Sequence, residues 1–384
     1  MIDRLRTAFL ALALLLFPAA PAAAQAQWDN VARVVAFGDL HGDYAKFLAM
    51  AGEAGLIDAR GDWSGGRTHL VQLGDVPDRG ADTRKIVEHL MRLEPQAIRA
   101  GGRVHALIGN HEAMNVEGDL RYVSAGEFAA FVDRGSGRRR DAYYRQWLAA
   151  LQASPPPEGV PTIDDAFRAK WDAEHPLGYV EHRLAWSPQG RYGRWIAGHS
   201  AVVRIDDTLY LHAGIGPSFP PLSVEAINDA VHRALLKAPV DATPADITTN
   251  EQGPLWYRGL AMNAEAAEAP HLAALLERHR VARIVVGHTR RAPMVLPRFN
   301  GRVIVADVAV AEGQSDPRAW LVQEGGAVAA VHRGTRVAIG GADPCAYFAA
   351  VAALEPPSAA NQRLVANCGA PQGAVAAASS GSER

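Results

Sequence analysis

The sequence predicts an α/β fold, and three observations support this prediction. First, short apolar runs with the composition of buried strands lie at residues 32–37, 68–73, 104–108, 208–211, 284–286 and 303–305. Second, apolar residues at helical spacings of three and four lie between the early runs, over 44–54 and 83–93. Third, each run ends in glycine or a polar cluster. The resulting β-α-β-α-β order in the first third of the chain is typical of an α/β fold.

The N-terminus has the pattern of a secretory signal peptide, which we place at residues 1–26. Two arginines precede an apolar stretch over 8–17, and small residues follow it. This stretch is too short for a comfortable transmembrane helix, for which about 20 residues are needed. We expect cleavage after Ala24 or Ala26 and an exported, periplasmic or secreted protein with no stable membrane insertion. An uncleaved anchor is the alternative.

The first predicted strand ends in the sequence GDLHGD, residues 38–43. Because side chains alternate along a strand, Asp39 and His41 project in the same direction and can reach one ion. The two glycines give the turn its room. The role of Asp43 stays open between support of the site from behind and a helix cap.

Polar side chains also follow four later strands. They belong to the sequences GDVPDRG, GNHE, LHAG and GHT, and they are Asp75, Asp78, Arg79, Asn110, His111, Glu112, His212 and His288. In open α/β sheets, sites form at this carboxyl edge of the strands. Each motif alone could be a turn with a local ion pair or a helix cap. Their joint appearance in order favours a functional site, in which we expect Glu112 to have a structural role, as a cap or by holding the loop, and not a catalytic one.

The types of donor point to metal ions. The candidate ligands carry oxygen or imidazole donors and no thiolate, and they are Asp39, His41, Asp75, Asn110, His212 and His288. Such donors suit divalent Mn, Fe or Zn. Six donors exceed the needs of one tetrahedral ion and fit two ions that share a bridging carboxylate, as in two-metal hydrolytic sites.

Three further residue types complete the candidate chemistry. Arg79 can grip phosphate oxygens with its guanidinium fork, and Arg258, between glycine and aromatic residues, is a second candidate. His111 is the natural acid for a leaving group if it is not a ligand, and Asp78 could orient it.

The residue pattern and composition divide the rest of the chain into segments. Residues 27–340 are expected to form the catalytic domain, with a mostly helical insertion at about 116–200 that could select substrate or cover a face. Residues 341–384 form a tail, rich in Ala, Ser and Gly from 369 and expected to be disordered there. Two cysteines, Cys345 and Cys368, would close the tail by a disulfide in an oxidising compartment, or remain free thiols.

The composition excludes some partners. The 384 residues are 48% hydrophobic and 21% charged, which is ordinary for a soluble globular protein. The formal net charge is −2, so charge gives no case for binding nucleic acid or a membrane surface.

The motifs together resemble those of the calcineurin-like metallophosphoesterases, in particular the phosphoprotein-phosphatase lineage, over about residues 34–306. Asp43 and the sequences GNHEAMN, HAGI, WYRG and VVGHT are similar to the Shewanella-like protein phosphatases. The resemblance implies two central β-sheets flanked by helices. It also implies site roles. Asp39, His41 and Asp75 would hold one metal ion, and Asp75, Asn110, His212 and His288 a second. Arg79 and Arg258 would grip phosphate, and the Asp78–His111 pair would donate the proton.

The function implied is a metal-dependent phosphomonoesterase in which a metal-bound hydroxide attacks phosphorus, with Mn as the expected ion. Its substrate would be a phosphorylated protein or peptide or a small phosphoester. A symmetrical dinucleoside tetraphosphate hydrolase shares the sequence HAGI, but DLHG and DRG argue against it. A non-enzymatic phosphate-binding module would lack a ligand or an arginine, and none is missing. The choice among phosphotyrosine, phosphoserine or phosphothreonine and small phosphoesters stays open, as do the native metal pair and the oligomeric state.

Other ionisable residues are expected to be structural. His199 lies in AGHS, which mimics GHT, but it precedes the strands that lead to His212. Asp307 follows a strand after GHT and could support the site from behind, but we expect a turn at the end of the sheet. The remaining candidates look like strand residues, and they are His69, His105 and His332.

Overall fold

The structure is a computed structural model that describes residues 25–157, 159–236, 246–308, 318–340 and 343–368. The expected signal peptide up to residue 24 and the Ala/Ser/Gly-rich end from residue 369 lie outside the described residues. Within the described part, no helix is both long and apolar enough to cross a membrane.

The described residues form twelve strands. They are β1 (Gln27–Trp28), β2 (Arg33–Phe37), β3 (His69–Gln72), β4 (Arg103–Ala106), β5 (Val202–Ile205), β6 (Thr208–Leu211), β7 (Arg283–Val286), β8 (Leu296–Arg298), β9 (Val303–Val305), β10 (Ala319–Glu324), β11 (Ala327–His332) and β12 (Thr335–Ala338). All six strands predicted from the sequence are present, as β2, β3, β4, β6, β7 and β9.

Thirteen helices complete the described part. They are α1 (Tyr44–Glu53), α2 (Thr83–Arg99), α3 (Asn110–Glu117), α4 (Ala125–Ala129), α5 (Ser136–Ala153), α6 (Asp165–Glu174), α7 (Tyr179–Trp186), α8 (Arg191–Ile196), α9 (Val224–Leu236), α10 (Gly259–Met262), α11 (Glu265–His279), α12 (Pro344–Leu354) and α13 (Ala359–Ala366). Five of them, α4 to α8, follow one another between α3 and β5.

The strands form two six-stranded mixed sheets. The first has the order β12-β11-β10-β2-β3-β4, and the second the order β1-β5-β6-β7-β9-β8. In the first sheet β2, β3 and β4 run parallel, and in the second β6, β7 and β9 run parallel. Each sheet therefore gathers several carboxyl strand ends at one edge.

The two sheets share an apolar core, and the strands at their centre are buried on both faces. On β2, Val34 and Ala36 belong to a core cluster that also contains residues of β6, β7 and β9. The alternate residues Val35 and Phe37 pack instead with α1 and α2 side chains such as Phe47. Strict alternation of the strand faces produces this division. Continuous apolar runs are expected where helices cover the outer face of a parallel sheet.

The tail packs on this framework through its first helix. The structure pairs Cys345 with Cys368, with Cα atoms 5.4 Å apart, and so joins α12 to α13. Tyr347 donates its hydroxyl hydrogen to the Val295 carbonyl oxygen at 2.6 Å. Glu355 accepts from His332 at 2.9 Å and so links the end of α12 to β11.

Candidate metal centre

The carboxyl ends of strands from both sheets meet at one place. Asp39 follows β2, Asp75 follows β3 and Asn110 follows β4, while His212 and His288 follow β6 and β7. Together with His41, all six predicted ligands are buried, and none exposes more than 9% of its surface. Groups so polar are buried only when they are paired or bind an ion.

The first group of donors forms around His41. Its Nδ1–H donates to the Pro77 carbonyl oxygen at 3.0 Å, and because a carbonyl can only accept, Nε2 carries the free lone pair. This Nε2 lies 3.7 Å from Asp39 Oδ2 and 3.8 Å from Asp75 Oδ2. A backbone hydrogen bond that fixes the other nitrogen is the usual support of a ligating histidine.

The second group forms around His212 in the same manner. Its Nδ1–H donates to the Leu73 carbonyl oxygen at 2.8 Å. Its Nε2 lies close to three donor atoms of other residues, which are Asn110 Oδ1 at 2.9 Å, His288 Nδ1 at 3.0 Å and Asp75 Oδ1 at 3.2 Å. Four possible donor atoms from four chain segments thus lie close together.

The electrostatics of this position favour a cation. Burial alone would lower the pKa of His212, but the carboxylate of Asp75 outweighs it and raises that pKa to about 9. Burial likewise opposes ionisation of Asp75, but His212 and His111 hold the pKa of this carboxyl well below its usual range. The pocket therefore stabilises positive charge where the donors meet, as a divalent ion would supply it.

Asp75 connects the two groups. Its Oδ1 faces His212 and its Oδ2 faces His41. The backbone N–H of His111 donates to Oδ1 at 3.0 Å and fixes the carboxylate plane. One carboxylate oxygen faces each group, so Asp75 could contribute to two ions.

Backbone strain is concentrated at the candidate site. Five of the predicted site residues adopt a positive φ without being glycine, and they are His41, Asp75, Asp78, Arg79 and His288. Such conformations cost of the order of 1–3 kcal/mol each and persist where the surroundings over-determine them.

Two glycines are required because carboxylate oxygens of the candidate ligands lie where a side chain would be. A Cβ on Gly109 would lie 2.4 Å from Asp75 Oδ1, and one on Gly287 would lie 2.6 Å from Asp39 Oδ1. The glycines in GNHE and GHT thus let the backbone approach the carboxylates closely.

His111 and Asp78 form a directed pair beside the donors. His111 Nδ1 donates to Asp78 Oδ2 at 2.5 Å, which leaves Nε2 pointing toward Asp75 Oδ2 at 3.7 Å. Burial would lower the pKa of His111, but the carboxylates of Asp75 and Asp78 raise it above its ordinary value. The pair can therefore hold a proton on Nε2 at the edge of the site.

Sequence reasoning missed a third member of this arrangement. Asn115 is fully buried and donates from Nδ2 to Asp78 Oδ1 at 2.9 Å, so both carboxylate oxygens of Asp78 are engaged. Asn115 follows His111 by four residues on α3, which places both on one face of the helix. That spacing within GNHEAMN is the signal that could have identified it.

The two predicted phosphate-binding arginines are exposed, in contrast to the buried ligands. Arg79 directly follows Asp78, and its guanidinium lies over the Tyr122 ring, 5.7 Å from the centroid. Arg258 donates from Nη1 to the His288 carbonyl oxygen at 2.8 Å. Both side chains are thus anchored next to site residues while their charge faces solvent.

Three residues around the site make contacts that indicate their roles. Glu112 accepts from the backbone N–H groups of Asp75 and Val76, at 2.9 and 2.8 Å, and so takes the expected loop-holding position. Asp43 caps α1 by accepting from the Lys46 N–H at 2.9 Å. Asp307 is more than a turn residue, because it is buried and its charge helps to raise the pKa of Asp39 after burial itself.

The other histidines lie elsewhere. His199 pairs with Glu94 at 2.8 Å, and His105 contacts His69 at 3.0 Å. A cavity of about 280 Å³ is lined in part by His105, His199 and Trp28 and includes none of the predicted site residues. None of these three histidines lies among the donors that surround Asp75.

Comparisons with known proteins agree with the geometry. A family model described as calcineurin-like phosphoesterase matches residues 32–291. Shewanella-like protein phosphatase 2 of Arabidopsis thaliana is 30% identical over 298 residues, 76% of this chain and 75% of that protein. An uncharacterised protein of Schizosaccharomyces pombe is 29% identical over 75% of this chain and 76% of its own length. The crystal structure of a cold-active protein-tyrosine phosphatase from a psychrophilic Shewanella species aligns with a TM-score of 0.62, at 27% identity over 82% of both chains.

Proposed function

The chain belongs to the calcineurin-like phosphoesterase family, and from this premise we propose that it hydrolyses phosphomonoesters in the manner of a protein phosphatase. Family membership makes the protein a metal-dependent phosphoesterase and a hydrolase. The observation that carries the finer proposal is Asp75, which presents one carboxylate oxygen to each of two groups of buried donors.

The donors fit two divalent ions. Asp39, His41 and Asp75 would hold the first ion, and Asp75, Asn110, His212 and His288 the second. When bound, two such ions acidify water to supply a nucleophile and neutralise charge on the phosphoryl oxygens. We propose Mn as the native ion, with Fe or Zn as alternatives, because oxygen and imidazole donors without thiolate suit all three.

The remaining residues of the site would bind and protonate the substrate. Arg79 and Arg258 bind the phosphoryl oxygens through charge-assisted hydrogen bonds. His111 donates the proton on Nε2 to the leaving oxygen, while Asp78 accepts from Nδ1 and keeps the ring in this orientation. No covalent intermediate on the protein is required.

The substrate is proposed to be a phosphorylated protein or peptide, or a small phosphoester. The matched relative is named a protein phosphatase, and the matched crystal structure is a protein-tyrosine phosphatase. We further propose export to the periplasm, because the N-terminal sequence has the pattern of a signal peptide.

The test is a substrate panel on protein stripped of metal and reloaded with Mn, Fe or Zn. It contains phosphotyrosine and phosphoserine peptides, an aryl phosphate and a dinucleoside tetraphosphate. We expect metal-dependent phosphate release from a peptide and the aryl phosphate, and none from the variants Asp75→Ala and His212→Ala. The surface variant Asp58→Ala is the control. Retained turnover in either ligand variant would refute the proposed metal centre. Turnover of the dinucleoside tetraphosphate alone would favour a symmetrical dinucleoside tetraphosphate hydrolase.

A further inference from the structure

A short segment of the helical region holds the loop that carries Asp78. We call residues 122–127 the clamp segment. It forms hydrogen bonds with the backbone of three consecutive loop residues. The Asp78 N–H donates to Glu127 Oε2 at 3.2 Å, and the Arg79 N–H donates to the Tyr122 carbonyl oxygen at 2.9 Å. The Gly80 carbonyl oxygen accepts from Ser124 Oγ at 3.0 Å. Local sequence does not link these residues, because more than 40 positions separate the two segments.

The loop needs this support because it is strained. Asp78 and Arg79 have φ values of 74° and 66°, so two successive residues with side chains lie in the left-handed region. Each costs of the order of 1–3 kcal/mol relative to a relaxed backbone. Hydrogen bonds from outside the loop can fix such a conformation, and the clamp segment supplies one to each of the two residues.

Glu127 differs from the other clamp residues in its burial. The side chain is fully inaccessible, and its Oε1 lies 3.6 Å from Nε2 of His182, which is also fully inaccessible. His182 comes from α7 and lies between the rings of Phe128 and Phe131, with centroids 5.2 Å away from each. Its ring nitrogens have no hydrogen-bond partner among the described residues.

Glu127 and His182 are both neutral near pH 7, which is favourable beside the charged Asp78 carboxylate. Burial, and then the charge of Asp78, raises the pKa of Glu127 to about 8. Burial lowers the pKa of His182 to about 3. Glu127 can therefore accept from the Asp78 N–H without adding a second negative charge next to the Asp78 carboxylate.

We propose that Glu127, backed by His182, is a positioning residue that fixes Asp78 and through it the proton-donating orientation of His111. The inference rests on the proposed function, since it takes His111 as the acid that protonates the leaving group. A Glu127 that only braced the fold would stabilise the protein without acting on one catalytic step.

The dependence on the leaving group separates these two roles. Phenyl phosphate needs protonation of its leaving oxygen, whereas 2,4-dinitrophenyl phosphate has a leaving group that departs without it. We expect Glu127→Ala to lower kcat on phenyl phosphate by about tenfold or more, since general acids contribute about 10²–10⁴-fold. On 2,4-dinitrophenyl phosphate kcat should change by less than about threefold, because only the acid step is affected.

Two conservative variants keep the test independent of folding. Glu127→Gln retains an oxygen that can accept from the Asp78 N–H, so its kcat on both substrates should stay near the wild-type value. His182→Phe keeps the aromatic packing but removes the ring nitrogen that lies 3.6 Å from Glu127 Oε1, and should shift the kcat ratio in the direction of Glu127→Ala. Metal content is measured for every variant, so that kcat values are compared at full loading.

Glu355→Ala is the matched control. Glu355 is another buried glutamate that contacts a buried histidine, with its Oε1 2.9 Å from His332 Nδ1. It lies on the tail, so its loss should lower the unfolding temperature without changing the kcat ratio.

The outcomes distinguish the inference from the proposed function. If metal-loaded wild type hydrolyses both substrates but Glu127→Ala slows them equally, or not at all, the positioning role is wrong and the function stands. If Glu127→Gln loses as much as Glu127→Ala, the acceptor role is wrong. If metal-loaded wild type hydrolyses neither substrate, the proposed function fails, and the inference with it.

Discussion

Gly109 shows how closely single residues determine the site. A methyl group there would lie 2.4 Å from Asp75 Oδ1, which is closer than atoms can approach without movement. The shared carboxylate of Asp75 would have to turn, and with it the geometry of both donor groups.

We therefore predict that Gly109→Ala lowers metal content and abolishes most hydrolysis of an aryl phosphate. Metal analysis after dialysis, together with kcat, measures this. Gly137→Ala is the matched control, because a Cβ at Gly137 in α5 meets no atom within 4 Å and alanine favours helix. Equal metal content in the two variants would contradict the prediction.

Asp78 is the second residue whose role can be isolated. Its carboxylate contacts His111 at Nδ1 and stabilises the protonated ring. Asp78→Asn removes the negative charge and keeps the size of the side chain.

This variant should lower kcat on phenyl phosphate about 10²-fold, in line with the usual contribution of a general acid, and leave metal content unchanged. Kinetics and metal analysis on the same preparations measure both. A parallel loss of bound metal would instead indicate that His111 serves as a ligand.

At the scale of elements, the amino end of α3 joins the loops after β3 and β4. Glu112 at this end accepts from the N–H groups of Asp75, Val76 and Gly109 with both carboxylate oxygens. Burial, and then Asp75, raises the pKa of Glu112 to about 7. These three N–H groups need oxygen acceptors. In glutamine an amide nitrogen replaces one carboxylate oxygen, and that nitrogen can only donate.

Glu112→Gln should therefore destabilise the fold by about 1–3 kcal/mol, the cost of leaving a buried donor unsatisfied. Urea unfolding in the presence of a chelator gives the free energy without a contribution from bound metal. The surface variant Glu251→Gln should change it by less than about 0.5 kcal/mol. If Glu112→Gln is as stable as the wild type, the loops after β3 and β4 keep their conformation without Glu112.

The elements also explain what the sequence could and could not predict. Strands β2, β3, β4, β6, β7 and β9 were predictable because apolar runs buried on both faces carry a strong local signal. The candidate ligands that follow five of them could be placed together from the sequence, because parallel strands bring their carboxyl ends to one edge. Glu127 and His182 were not, because their contact depends on how α4 and α7 pack, which no spacing encodes.

At the scale of the whole molecule, a cluster of histidines on the outer part of the first sheet affects stability. His105 on β4 contacts His69 on β3, and the Trp28 ring lies 5.6 Å from that of His105. Burial lowers the pKa of His105 to about 3, with further repulsion from His69, Arg103 and His199. Burial, then Arg103, lowers the pKa of His69 to about 4.

The sign of the pH effect follows from these shifts. Above about pH 6.5 both imidazoles are neutral whether the chain is folded or unfolded, so they give no pH dependence. As the pH falls from 6.5 toward 4, the unfolded imidazoles gain protons that the folded ones exclude. The free energy of unfolding should therefore fall by up to about 1.4 kcal/mol per pH unit through His105.

His105→Phe should reduce this slope while keeping the aromatic contacts. Urea unfolding of the variant and the wild type at pH 7.5 and pH 5 separates the contribution of His105 from that of the carboxylates. Identical slopes for the variant and wild type would refute the assignment.

Asp75 has a consequence for how the protein gains its metal ions. Because a single carboxylate contributes one oxygen to each donor group, filling one group orients the shared side chain for the other. The two binding events would then be coupled, and by linkage each ion would change the affinity for the other by the same factor. We expect the orientation of Asp75 to outweigh the repulsion between the two cations, so that titration with Mn gives a sigmoidal isotherm and half-loaded molecules stay scarce.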